Sequence, residues 1–194
     1  MKRELKKIAS VQMGYFFRSR IEARGSGAVA VIQMKDLTDD NRVDCSGLTQ
    51  VDMESLKAHH IVRPGDLFFR SRGLTATSAI LTDDPGVAVV SAPLLRIRVD
   101  EQVVLPEYLN WFISQVSAQS YLASRAIGTA QKMISKEALE NLEVFIPSIE
   151  RQRAITELAA LADEEQRLLN RLAIKRRQYT STILMRLAQG EQNR

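Results

Sequence analysis

Short apolar runs separated by polar, glycine-containing turns dominate the first 149 residues. Val29 to Gln33 is a buried-strand candidate, and Leu67-Phe68-Phe69 starts another after the turn signal Arg63-Pro64-Gly65-Asp66. Thr77 to Leu81, Val87 to Val90 and Leu94 to Val99 predict three more. Turns at Asp83-Asp84-Pro85-Gly86 and Ala92-Pro93 separate them. In the last of these, apolar residues alternate with Arg96 and Arg98, which predicts a half-solvated strand. Pro106-Glu107 opens one helix, whose apolar positions Leu109, Phe112, Ile113, Val116 and Tyr121 follow helical spacing. A second, short helix runs from an N-cap at Ser135 through Leu139, and Leu142 to Ile146 forms a strand that stops at Pro147. The expected fold is a mixed α/β (α+β) domain with a curved sheet over residues 1–148.

The pattern changes after Ser148. No Gly or Pro occurs before Gln189, and Leu, Ala, Glu, Gln and Arg predominate. Residues 149–190 therefore predict one long helix of about 40 residues, or about 60 Å at 1.5 Å per residue. With Ile155 at position a of a heptad, the seam runs Ile155, Leu158, Ala162, Glu165, Leu169, Leu172, Arg176, Tyr179, Ile183 and Arg186. A parallel pair would stack Glu165 on Glu165 and Arg176 on Arg176, which a dry seam disfavours. An antiparallel coiled coil puts Leu169 against Leu172, Glu165 against Arg176, Ala162 against Tyr179 and Leu158 against Ile183. Each Glu gains an Arg, and a small residue faces a large one. The helix is thus expected to dimerise with a second copy of the chain. Folding back on its own domain is the alternative, since Ala159, Leu161, Leu168, Ala173 and Leu187 widen the stripe.

Composition narrows the class. The 194 residues are 45% hydrophobic and 26% charged, as in soluble globular proteins. Cys45 is the sole cysteine, so no disulfide can form within the chain. MKRELKKIAS lacks the apolar core of a secretory signal, no run has the length of a membrane span, and a cytoplasmic setting is expected. The net charge of +4 is unevenly placed. Residues 1–149 hold 18 Lys/Arg against 17 Asp/Glu, and residues 150–194 hold 9 against 6. Bulk charge therefore argues only weakly for a nucleic-acid partner, and DNA contact needs locally clustered cations.

Catalytic signatures are not apparent. His59-His60 has no further histidine to complete a metal site and reads as a solvated helix end. Gly25-Ser26-Gly27 is too short for a dinucleotide fingerprint, and there is no P-loop or nucleophile elbow. Asp36, Asp39, Asp40 and Asp44 crowd one loop that reads as a solvated turn. No metal or cofactor is implied for the chain itself. Polar clusters suited to double-stranded DNA do occur. Arg70 and Arg72 supply guanidinium forks beside Thr75 and Thr77, and Thr129, Gln131 and Lys132 suit base edges and phosphate. Ser135, with Lys136 beside it, starts a helix whose free N–H groups could meet another phosphate. Arg18, Arg20 and Arg24 form a third basic group.

These motifs, in order, resemble the specificity (S) subunits of type I restriction–modification systems. GTAQKMISKEALENLEVFIPSIERQRAI (128–155) is similar to the family's Gly-Ser/Thr-x-Gln-x-x-Ile-Ser, short helix, Pro-ended strand and Glu-x-Gln helix start. VRPGDLFFRSRG (62–73), VIQMKDL (31–37) and LPEYLNWF (105–112) match further family segments. The family's Glu-Glu-Gln reads Glu150-Arg151-Gln152 here, and the Pro-rich approach shortens to Pro147-Ser148-Ile149. Family members usually carry two target-recognition domains and two long helices, against one of each in this sequence. The resemblance implies a non-catalytic, DNA-reading specificity subunit, with two copies rebuilding a bipartite reader of an inverted repeat. Methylation would belong to a modification (methyltransferase) subunit and cleavage to a possible restriction subunit, which supply the S-adenosylmethionine and ATP chemistry. A standalone DNA-binding regulator or inhibitor of the same fold, a nuclease or methyltransferase accessory fragment, and a non-catalytic oligomerisation module are the alternatives.

Overall fold

Burial on both faces explains the most apolar strand of the chain. In the computed structural model, which describes residues 1–189 except 18–20, 22–26, 54–55, 74–75 and 129–131, strand Val29–Ile32 is wholly buried. Its Ala30 and Ile32 join one apolar cluster with Phe68, Leu81 and Leu94, while Val29 and Val31 join another with Val51 and Val89. A strand covered on both sides has no solvent face to mark with polar residues, hence the unbroken VAVI.

Among the described residues nine strands form: β1 (Lys2–Glu4), β2 (Ala9–Met13), β3 (Val29–Ile32), β4 (Thr49–Val51), β5 (Leu67–Arg70), β6 (Ser78–Ile80), β7 (Ala88–Val90), β8 (Leu94–Val99) and β9 (Glu143–Phe145). The single curved sheet expected from sequence is replaced by three sheets. An antiparallel four-stranded sheet runs β2-β8-β5-β6, and a three-stranded sheet runs β4-β3-β7 with β3 and β7 parallel. β1 pairs antiparallel with β9, Lys2 opposite Phe145. β1 and β4 escape a sequence reading because each has three residues and at most one apolar side chain, and β2 because its alternation Ala9, Val11, Met13 carries one buried position, Val11.

Four helices follow: α1 (Pro106–Ile113), α2 (Val116–Ser124), α3 (Lys136–Glu140) and α4 (Ile149–Ala188). The helix expected over 106–121 is therefore two. Gln115 takes extended backbone angles, φ −75° and ψ 151°, and its side chain turns back to donate to Trp111 O at 2.8 Å. Gln119 Nε2 covers the Ile113 carbonyl at 2.6 Å, so the break leaves that acceptor satisfied. Val116, placed in the apolar set by spacing, is exposed as a result.

β8 holds the second correction. Arg96 and Arg98 do not mark a solvent face. Arg96 is only 6% exposed and donates to His59 O, Ile61 O and Gln12 Oε1. Arg98 grips the fully buried Asp66 with two bonds, at 2.6 and 2.7 Å, and also reaches Ile61 O. Together they clamp the turn Ala58–His60 onto the sheet. Burial and the neighbouring Arg98 pull the Arg96 guanidinium below its ordinary pKa, whereas the Asp66 bonds raise that of Arg98.

Asp36 is also not a solvated turn residue. It is buried and accepts the Gln33 N–H at 2.7 Å, while Gln33 caps the same 3-10 turn reciprocally. Burial pushes its carboxyl up, against that hydrogen bond and nearby Lys35.

The chain divides into two compact units, Met1–Arg153 and Ala154–Arg194. Gln152, near the start of α4, is fully buried in the first of them. Its Nε2 donates to Val103 O and Pro147 O, and its Oε1 accepts the Leu105 N–H at 2.8 Å. This three-way bond gives the Glu-x-Gln pattern a physical purpose: an amide holds the loop before α1 to the start of α4. In the second unit, every described residue from Ala160 to Gln189 is exposed.

Candidate nucleic-acid interface

β5 runs out of the four-stranded sheet into Ser71 and Arg72, and this edge meets Met133 and Ile134, with Ile127 paired to Met133. Ile134 N donates to Ser71 O at 2.8 Å, Arg72 pairs with Met133, and Ile127 and Met133 exchange N–H···O bonds at 2.9 Å each way. Two loops some 60 residues apart in sequence, each a candidate for reading DNA, are thus stitched into one surface. Arg72, Lys132 and Lys136 are exposed on it. Gly73 and Gly128 adopt φ of 127° and 111°, conformations that side chains resist, so glycine suits both bends.

A groove of about 790 Å³ opens beside this surface. Arg72, Lys35, Gln33 and Thr49 contribute its polar lining, and Met13, Phe16 and Met133 part of its apolar lining. No carboxylate lines it among the described residues. Gln33 Nε2 and Lys35 Nζ both donate to Thr49 Oγ1, at 3.0 and 3.3 Å. Gly14 lets the end of β2 pass close to Ser91; a Cβ there would lie 2.6 Å from the Ser91 carbonyl carbon.

Other sequence candidates take different roles. Arg70 is turned inward: its guanidinium donates to Thr77 Oγ1 at 2.8 Å, Leu37 O at 2.9 Å and Thr38 O at 3.2 Å. Arg70 and Thr77 therefore occupy each other, and burial pulls the Arg70 pKa down. Ser135 Oγ accepts the Ala138 N–H at 3.0 Å, so the capping residue spends its own oxygen on the helix start. α3 has five residues, too few for an anion site at its N-terminus, and Lys136 pairs with Glu140 at 3.5 Å. Arg18, Arg20, Arg24, Thr75, Thr129 and Gln131 lie outside the described residues. Lys35, Met13 and Phe16 were not singled out from sequence; Phe16, next to the Arg18–Arg20 group, was the one available signal.

His59 and His60 sit in the clamped turn, their rings 4.1 Å apart, with His60 edge-on to Tyr15 at 5.3 Å. Among the described residues no group of three or more His, Cys, Asp or Glu is placed to hold a metal, and no helix is long and apolar enough to cross a membrane.

The family model described as the type I restriction modification DNA specificity domain matches residues 1–172. The chain belongs to this family. It is 25% identical over 171 residues to the type I restriction enzyme EcoBI specificity subunit of Escherichia coli, covering 84% of this chain and 35% of that protein. Among solved structures it resembles the HsdS subunit from Thermoanaerobacter tengcongensis, with a TM-score of 0.72 and 16% identity over 97% of this chain and 48% of that one. It also resembles the type I restriction-modification S subunit from M. genitalium, with a TM-score of 0.57 and 13% identity over 96% of this chain and 45% of that one. These likenesses establish the specificity-domain fold, a mixed α/β body followed by a long helix. The chain spans about a third to a half of its relatives' lengths.

Proposed function

We propose that the unit Met1–Arg153 is a target-recognition domain that reads one half of a double-stranded DNA site and is not itself an enzyme. The observation that carries the reading is the stitching of Arg72 to Met133, which presents two basic segments beside a groove lined by no carboxylate among the described residues. Arg72 is the residue suited to a guanine edge and Lys132 to phosphate; Arg70, spent inside the domain, is not. Arg18, Arg20, Thr129 and Gln131, which lie outside the described residues, remain candidates for the same reading from sequence.

α4 supplies the second part of the proposal. Leu158, Leu169, Leu172, Tyr179 and Ile183 are exposed, and the order of Glu165 and Arg176 favours antiparallel pairing with another copy of this helix. Two domains held by such a spacer would read an inverted repeat whose halves lie more than one DNA turn of about 34–36 Å apart. The assembly would direct a modification subunit, and a restriction subunit where one is present, to that site in the cytoplasm.

The deciding experiment is genome-wide mapping of methylated bases in a host with and without this gene, together with its modification subunit. A bipartite motif should appear only with the gene; an unchanged methylation pattern would sink the proposal. In vitro, Arg72→Ala should cost about 1–3 kcal/mol at one base position, and Lys132→Ala should weaken all sequences alike. For α4, Glu165→Arg should break self-association in sedimentation, and the double change Glu165→Arg with Arg176→Glu should restore it. Unaltered association of the single variant would refute the register.

A further inference from the structure

Three large apolar side chains stand in the solvent at the candidate groove. Phe16 is 76% exposed, Met13 59% and Met133 38%, and all three line the same concavity as Arg72 and Lys35. Each position has a local cause. Val11 and Met13 share one face of β2, so Met13 extends the inward apolar row past the point where the core ends. Phe16 lies between Tyr15 and Phe17, whose rings meet at 4.9 Å, and Phe17 packs against the cluster of Val29, Val31 and Val89. Met133 is fixed by its cross-strand pairing to Ile127 and Arg72. These side chains are held at the groove without being covered by it.

An apolar grip flanked by cations, with no carboxylate among the described residues that line it, fits a polyanion that carries an apolar group. On the base edges of DNA that group is the thymine C5-methyl in the major groove, which A·T pairs present and G·C pairs do not. Phosphate and sugar give Phe16 and the two methionines nothing comparable to bury. Methionine also suits the task, because its unbranched, polarizable chain adapts to a small contact.

We infer that the groove selects thymine, with Met13, Phe16 and Met133 closing on its C5-methyl while Lys35 and Arg72 hold the adjacent backbone or base edge. This rests on the DNA-reading role proposed above and specifies what the groove selects.

The test uses the full chain, with its modification subunit, and a duplex carrying the mapped site. Each thymine in turn is replaced by deoxyuridine, which lacks only the methyl. At one or two positions per half-site the affinity of the unaltered protein should fall about fourfold, the worth of one buried methyl. In Met13→Ala, Phe16→Ala and Met133→Ala the same replacements should have little effect, because the grip is already gone. Phe16 and Met13 are largely exposed, so unchanged thermal unfolding should accompany those two variants. Sequence-specific binding that is indifferent to every deoxyuridine overturns the thymine reading alone. So does a Phe16→Ala defect with the full deoxyuridine penalty retained, which would make Phe16 a wedge between base steps instead. A mapped half-site without thymine overturns it as well. Loss of all sequence preference in the unaltered complex overturns both this inference and the DNA-reading role.

Discussion

Leu109 and Leu169 are the same side chain on a helix, yet Leu109 is fully buried and Leu169 is more than half exposed. The contrast separates the two units. Met1–Arg153 encloses an apolar core, leaving Met13, Phe16 and Met133 out at the groove, and even charges are internal: Arg96, Arg98 and Asp66 hold a turn against the sheet. From Ala160 to Ala188 the helix keeps its apolar residues outside. One unit builds a core within itself; the other has no core, and its apolar residues are exposed.

The sharpest way to probe that difference is to break the internal charges. Asp66→Ala leaves Arg98 without its carboxylate inside the domain and should cost about 3–5 kcal/mol in chemical denaturation. A loss below about 1 kcal/mol would mean the pair does not clamp the turn. The paired leucines come next. Leu109→Ala should cost about 2–5 kcal/mol. Leu169→Ala, measured where the chain is monomeric, should stay within about 0.5 kcal/mol while weakening self-association. Equal costs at the two positions would erase the distinction drawn between the units. Ser135→Ala removes the Ala138 cap and should cost about 1 kcal/mol; no change would show that the five-residue α3 is held by packing alone.

The smallest effect concerns pH. Burial, then His59, Lys57 and Arg96, hold the His60 imidazole below its ordinary pKa. As pH falls below the ordinary histidine value, the unfolded chain takes the proton first. The stabilisation is therefore present above that value and is lost progressively toward the lower folded one. Thermal unfolding across that window should fall less steeply in His60→Gln than in the unaltered protein. Identical slopes would assign the acid sensitivity to another group.

Sequence pattern located β3, β5, β7 and β8 within a residue or two, found Ser135 as a cap, and placed α4 almost to its ends. Those elements carry strong local signals: apolar runs, a hydroxyl before a helix, forty residues without Gly or Pro. What it missed depends on long-range partners. Arg96 and Arg98 look like a solvent face until Asp66 and the carbonyls of His59 and Ile61 are brought to them. Asp36 looks solvated until Gln33 folds back over it. The helix break at Gln115 has no Gly or Pro to announce it, because side-chain amides satisfy the interrupted carbonyls. The candidate site was legible in part. Its two segments were visible, but their joining at Met133 and the retirement of Arg70 to an internal bond were not.

The ladder between β1 and β9 has a mechanical consequence. Met1 O accepts the Ile146 N–H at 2.7 Å, and Lys2 faces Phe145, so the chain's first residue and the approach to α4 leave the ladder from the same end. Tension drawn between Met1 and Ile146 would peel this pair open one hydrogen bond at a time, because the load falls on the outermost bond and not on all of them together. A pull from α4 itself meets the Gln152 bonds to Val103, Pro147 and Leu105 first, so that amide shields the small ladder from strain on the helix.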